Sequence, residues 1–294
     1  MIFVMHAWLI TNGFMQSEKF SELSDLFIKE AKSLNIHLEH KKNSDIPVGA
    51  VTENIEKPQF VLFWDKDILL AGFLESLGIR VFNSSTCIEV CDDKRKTYLA
   101  LRKEDIPTPD TMIVPMTYDT VGFTNYDFIE FAGERFGFPL VIKEAYGSFG
   151  EQVYLARNDT ECKTIIQECH SFKLLFQQYI KESHGRDIRL QVVGNRVIGA
   201  MERYSDNDFR ANITAGGNMR AYQPTADESK IAIQAACAVG ADFAGVDLLF
   251  GKDGPLVCEV NSNAHFKNLM DCTGVNTARE ILQYIAADIR GGKR

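Results

Sequence analysis

The sequence predicts an α/β protein that becomes mixed α+β in its C-terminal half. Three observations carry this reading: alternating strand and helix patterns before residue 90, two glycine-turned hairpins after residue 184, and the composition. Of 294 residues, 45% are hydrophobic, 24% charged and 11% aromatic, a globular balance that excludes disordered, collagenous and low-complexity classes. A chain of this length stretches a single core, so two or three subdomains are expected.

The elements follow in order. Trp8-Leu9-Ile10 reads as a strand, and Ser17 opens a helix with Phe20, Leu23, Phe27, Ala31 and Leu34 on one face. A strand at 36–38 comes next. The apolar run Phe60 to Trp64, a helical pattern over 68–77 stopped by Gly78, and a strand over 79–82 form a βαβ unit, which implies a small parallel sheet. Asp92 or Asp93 caps a basic helix reaching Lys103, and Pro107 and Pro109 then break the chain. Strands are expected at 112–114, 138–143, 153–156 and 174–180, with helices at 126–136 and 159–170. A hairpin over Gly194-Asn195, a helix at 227–239, a hairpin over Gly251 to Gly254 and a helix at 277–289 complete the chain. Domain boundaries are expected at 1–90, 91–183 and 184–294.

A net charge of −8 disfavours nucleic-acid and membrane-surface partners. Six of the 14 arginines nevertheless fall between 186 and 220, which suggests a local site for a small anion. Seven cysteines cannot all pair, so a reducing cytoplasm is expected. Cys87 and Cys91 lack the partners of a zinc site. Neither a signal peptide nor a stretch approaching the roughly 20 apolar residues of a membrane span is supported. No dinucleotide-binding GxGxxG, phosphate-binding GxxxxGK[ST], HExxH or GxSxG motif occurs. The histidines form no ligand-spaced pair; His265 draws notice only by following the last strand.

The second hairpin is the most informative segment, because turn length and strand alternation fix which side chains meet. A loop at Lys252-Asp253-Gly254 sets Asp247 opposite Glu259 and Leu249 opposite Val257, with Asn261 on the same face. Val246, Leu248, Phe250, Leu256, Cys258 and Val260 then point to a core. Two facing carboxylates about 5 Å apart repel, and a hard divalent cation such as Mg²⁺ relieves this while accepting phosphate oxygens. In the first hairpin, a two-residue turn sets Arg186 opposite Arg203 and Asp187 opposite Glu202, like-charge pairs that call for a bound ligand. Lys143 ends an apolar strand just before the loop Gly147-Ser148-Phe149-Gly150, whose amides can approach phosphate. Lys94 opens the basic helix. Asp208-Phe209-Arg210-Ala211-Asn212 with Gly216-Gly217 adds a cation and an amide.

In sequence order these segments resemble the ATP-grasp superfamily, and within it the RimK-type carboxylate–amine ligases, from Cys91 to Ile289. The likeness rests on Asp93-Lys94, Ile106-Pro107-Thr108-Pro109, Pro139 to Lys143 with the glycine loop, and Gln178-Tyr179-Ile180. It continues through Gly185-Arg186-Asp187-Ile188-Arg189, the Asp208 to Asn212 segment, Ala244-Gly245-Val246-Asp247 and Glu259-Val260-Asn261. It implies an ATP-grasp fold after an N-terminal Rossmann-like domain. It further implies that Lys94, Lys143, Gly147, Ser148 and Gly150 hold ATP phosphates, while Gln178, Tyr179 and Ile180 line the adenine pocket and Asp187 lies near the ribose. Arg210 and Asn212 would touch triphosphate or metal, and Asp247, Glu259 and Asn261 would hold one or two Mg²⁺ ions, with Mn²⁺ a substitute. Arg203 and Arg189 would stabilise an acyl phosphate. The implied reaction joins a carboxylate of a small molecule, peptide or protein tail to an amine such as glutamate. A non-catalytic ATP-binding module and a D-alanine-type peptide ligase are the alternatives, and a homo-oligomer is compatible with each. Gln178 stands where many relatives carry Glu, and Ser262 to Phe266 replaces the usual Ser-Pro-Gly type sequence, so the acceptor is not inherited from the ribosomal-protein enzymes.

Overall fold

The computed structural model describes residues 4–15, 18–49, 56–147, 150–211 and 216–291. Ser17, Ser148 and Asn212 lie outside the described residues.

The expected parallel sheet is present. Strands β1 (Met5–Thr11), β2 (Ile36–Lys42), β3 (Phe60–Trp64) and β4 (Arg80–Phe82) pair in parallel in the order β2-β1-β3-β4. Both faces are covered, which is why β1 and β3 read as nearly unbroken apolar runs. Trp8, Ile10, Val61 and Phe63 pack with α2 (Ile68–Ser76) and Ile88 of α3 (Ser85–Asp92). Ala7, Leu9, Phe60 and Leu62 face Leu23, Phe27 and Ala31 of α1 (Glu18–Ser33). That second core also takes in Ile281, Leu282 and Ile285 of α9 (Thr277–Gly291), so the last helix packs on the first sheet. Asn83, fully buried, ties the same regions together. Its amide donates to the carbonyls of Phe243 and Ser262 at 2.9 Å, and its oxygen accepts from Asp242 N at 2.7 Å.

Asp93 caps α4 (Lys94–Lys103) by accepting from Arg95 N, and the α4 start is held by Lys94 N donating to Ala145 O. The central sheet is antiparallel, in the order β5-β8-β6-β7, from β5 (Thr111–Ile113), β6 (Leu140–Glu144), β7 (Val153–Ala156) and β8 (Leu174–Gln178). Helices α5 (Asp127–Phe136) and α6 (Asp159–Glu168) cover it through Ile129, Ala132, Cys162 and Ile166.

The third sheet, also antiparallel, has the order β11-β10-β9-β12-β13. It comprises β9 (Arg186–Val193), β10 (Arg196–Tyr204), β11 (Asn218–Ala221), β12 (Phe243–Gly251) and β13 (Gly254–Asn261). Helix α7 (Ala226–Ala238) lies against it through Ala232, Ala235 and Ala236, and α8 (Lys267–Thr273) follows β13. The elements α3, β11 and α8 were not among those expected from the sequence.

Two registers differ from expectation by one residue, the first through a bulge and the second through a tighter turn that a bulge then offsets. In the first hairpin Ile198 is extra, so beyond Val197 every pair slips. Arg203 stands opposite Asp187, and Glu202 opposite Ile188. The like-charge oppositions are therefore replaced by an attractive one. In the second hairpin the turn is one residue tighter and Cys258 is extra. The two shifts cancel at Asp247, which does face Glu259, but Leu248 and not Leu249 faces Val257. Val257 is thus the core residue, while Cys258 leaves the core.

Candidate active site

All three sheets contribute to one cavity of about 870 Å³. Lys94, Lys143, Gly147, Gly150, Gln178, Tyr179, Ile180, Asp187, Arg189, Arg203, Arg210, Asp247, Glu259 and Asn261 all line it. Of the residues expected at a site, only Ser148 and Asn212 go unplaced, because they fall outside the described residues.

The cationic wall is built from strand and helix ends. Lys94, at the first position of α4, donates to Gly147 O at 3.0 Å and lies 3.4 Å from Glu259 Oε1. Lys143 on β6 is 7% exposed and reaches Cys258 Sγ at 3.4 Å. Gly147 and Gly150 of the glycine loop have φ of 138° and 74°, values that favour glycine. A Cβ on Gly147 would stand 2.1 Å from Gln152 Oε1. Arg210 holds the far side of that loop by donating to Gly150 O at 2.7 Å and Val153 O at 3.2 Å. Asp208, hydrogen-bonded to Arg210, holds the guanidinium in place, and that bond raises the Arg210 pKa.

Behind this wall is a buried charge network. Arg189 makes a bidentate pair with Asp247 at 2.6 and 2.7 Å, and Arg203 a bidentate pair with Asp187 at 2.7 and 2.8 Å. Arg203 Nη2 also lies 2.9 Å from Asp247 Oδ2, linking the two. Burial pushes the Asp247 carboxyl up, but Arg189 and Arg203 outweigh it and hold the group below its ordinary value. For Asp187, burial wins over Arg203 and raises the pKa. Asp187 thus braces the Arg203 guanidinium at the cavity wall. Tyr179 bonds to His184 Nδ1 through its hydroxyl, and Gln178 is exposed at the end of β8.

The donor set suits a hard cation. Asp247 and Glu259 face each other across β12 and β13, and Asn261 donates its amide N–H to Gly245 O at 3.5 Å, keeping its carbonyl oxygen available. Two carboxylates and an amide oxygen match the oxygen preference and low protein-ligand count of Mg²⁺; each Asp247 oxygen already accepts from an arginine, so an ion there would take a remaining lone pair of that carboxylate. Among the described residues, no group of three or more His, Cys, Asp and Glu forms a denser metal cage.

Some of the cavity wall escaped the sequence. Cys258 enters through the bulge, and burial raises its thiol pKa. Thr11, Asn12, His40, Lys42, Asp65 and Lys66 enter from the strand ends of the first sheet, and Asn268 from α8, whereas Asn263 and His265 belong to the Ser262 to Phe266 segment already set apart in the sequence. The signal that could have found the first group is the general tendency of parallel sheets to bind ligands at their carboxyl edge.

The fold is that of ATP-grasp ligases. A RimK-domain ATP-grasp protein from Sphaerobacter thermophilus superimposes with a TM-score of 0.72 at 19% identity, covering 95% of this chain and 98% of the other. D-alanine–D-alanine ligase from Bacillus anthracis, in complex with ATP, gives 0.74 at 18% identity and 98% of both chains. The chain belongs to the RimK-like ATP-grasp family, whose model matches residues 91–285. It is similar to an uncharacterised Mycoplasma pneumoniae protein, 33% identical over 90% of this chain and 93% of the other. A probable alpha-L-glutamate ligase of Enterobacter sp. (strain 638) is 38% identical over 72% of this chain and 69% of its own length. Human N-acetylaspartylglutamate synthase A is 37% identical over 69% of this chain, which spans only 51% of that protein. No helix among the described residues is long and apolar enough to cross a membrane.

Proposed function

We propose that the protein is an ATP- and Mg²⁺-dependent carboxylate–amine ligase with an amino acid, glutamate above all, as the amine. The observation that carries this is the convergence of Lys94, Lys143, Arg203 and Arg210 on the cavity that Asp247 and Glu259 share. Relatives named as glutamate ligases and synthases support the choice of amine.

Phosphoryl transfer asks a protein mainly for in-line positioning and charge neutralisation, and this cavity supplies both. Lys94, Lys143 and the Gly147 to Gly150 loop bind the phosphates of ATP, and the Gln178 to Ile180 segment lines its base. Asp247, Glu259 and Asn261 are the residues that would hold Mg²⁺, one ion or two, which neutralises phosphate charge when bound. The substrate carboxylate oxygen takes the γ-phosphoryl group and ADP leaves. Arg189 and Arg203, oriented by Asp247 and Asp187, stabilise the acyl phosphate. The amine nitrogen, having lost its proton, then attacks the acyl carbon, and inorganic phosphate departs with the C–O bonding pair. The glycine loop, tied down by Lys94 and Arg210, shields the acyl phosphate from water. The unpaired cysteines suit a cytoplasmic setting.

Glu259→Gln tests the reading. It keeps the shape of a partly exposed side chain while removing one carboxylate. Magnesium-dependent ADP formation should fall by about a hundredfold or more without loss of the fold, and turnover at the wild-type rate would refute the assignment. Amino-acid screening with phosphate detection separates glutamate from D-alanine as the amine.

A further inference from the structure

The chain leaves β1 toward β2 on one side and returns as β3 on the other, so the order β2-β1-β3-β4 reverses between β1 and β3. The crevice outside the carboxyl ends of such a pair is where open parallel sheets bind ligands. The residues immediately after these two strands are Asn12 and Asp65, and both line the cavity. They touch: Asn12 Nδ2 lies 3.2 and 3.3 Å from the two Asp65 oxygens. Asp65 is 8% exposed, and its other hydrogen bond is from Lys66 N at 2.7 Å. Its backbone carbonyl accepts from Asn263 Nδ2 at 2.7 Å, which fastens this corner to the segment following the candidate metal strand.

The contrast with the arginine-bound carboxylates is chemical. Asp65 receives its hydrogen bonds from a side-chain amide and a backbone N–H, both neutral. Burial raises its pKa, and the neighbouring Asp67 raises it further. Buried carboxylates are ordinarily paired with a cation. This one faces an open cavity.

We propose that Asp65 and Asn12 seat a spectator ammonium on the carboxylate-bearing substrate, so that the acceptor is an amino acid or a peptide with a free amino group. The proposal rests on the ligase reading above and deepens it. An amine must be deprotonated to attack an acyl phosphate, whereas a carboxylate keeps its partner amine protonated. The proposal accordingly assigns the group at Asp65 to the spectator ammonium and not to the nucleophile. Lys42, at the end of neighbouring β2, lines the same wall and is placed to meet a second carboxylate of such an acceptor.

The test compares L-aspartate and glycyl-L-aspartate with their N-acetylated forms. Each is titrated calorimetrically into the full chain saturated with Mg²⁺ and a non-hydrolysable ATP analogue, and assayed for ADP release with L-glutamate as amine. Wild type should bind the free amines roughly ten- to hundredfold more tightly than the acetylated forms. Asp65→Asn should erase that preference and leave affinity for the ATP analogue unchanged. Equal or tighter binding of the acetylated compounds, no binding of any of the four, or a preference that survives Asp65→Asn overturns the ammonium seat. Preferential binding of free amines without ADP release under any substrate mixture would instead sink the ligase reading while leaving the seat in place.

Discussion

The two ends of the cavity handle buried charge in opposite ways. At the third sheet, Asp187 and Asp247 are matched by Arg203 and Arg189 in a closed network of bidentate pairs. At the first sheet, Asp65 is buried against an amide and a backbone N–H. A closed network holds its groups in fixed geometry before any ligand arrives, as the proposed role of Arg189 and Arg203 at an acyl phosphate requires. An open one leaves a desolvation penalty for a ligand to relieve. Paired and unpaired buried carboxylates are thus separated along one cavity.

The largest expected effect comes from opening the closed end. Asp247→Asn leaves Arg189 and Arg203 facing each other without their shared counter-charge. Breaking a buried pair from one side costs about 3–5 kcal/mol, readable as a lower urea midpoint at unchanged slope, with loss of ADP formation. A midpoint within error of wild type would show that the network is not a closed unit.

A smaller effect probes the joint between the ends. A Cβ on Gly245 would stand 2.4 Å from Ala264 Cβ, in the segment that carries Asn263. Gly245→Ala should cost about 1–3 kcal/mol and raise KM for the acceptor more than for ATP. Equal changes in both constants would deny that this segment serves the acceptor end alone.

The smallest effect is a gain. Asp65 has a folded-state pKa raised above its ordinary 3.8, chiefly by burial, so its charge destabilises the fold increasingly as pH rises through that raised value. Below the unfolded value the group is neutral in both states and the penalty vanishes. Asp65→Asn should therefore melt a few degrees higher than wild type at pH 7, and this advantage should disappear as the pH falls below about 4. Thermal scans across that range check it, and a difference independent of pH would contradict it.

Much of the site was legible before any fold was known, because alternation and turn length are local. The Asp247 and Glu259 pairing survived even though both the turn and the strand departed from expectation, since a tighter turn and the bulge at Cys258 compensate. No such compensation occurs in the first hairpin, where the bulge at Ile198 turns two predicted repulsions into the Arg203–Asp187 pair. Gly199, next to that bulge, packs against Leu269 of α8, and a Cβ there would lie 3.3 Å from it. Nothing in the local sequence of β10 records that neighbour.

The sequence by itself determined the α/β class, the order of the motifs and the Asp247–Glu259 opposition, because each follows from periodicity or from short-range spacing, while the lysines and arginines of the cavity received their roles only through the family resemblance. Only the tertiary structure decided which carboxylates the arginines hold, that α9 completes the first core, and that Asn12 meets Asp65 across 53 positions of chain. Those outcomes depend on which strands become neighbours and where a ladder takes up an extra residue. Both are set by the packing of distant segments, which no local pattern encodes.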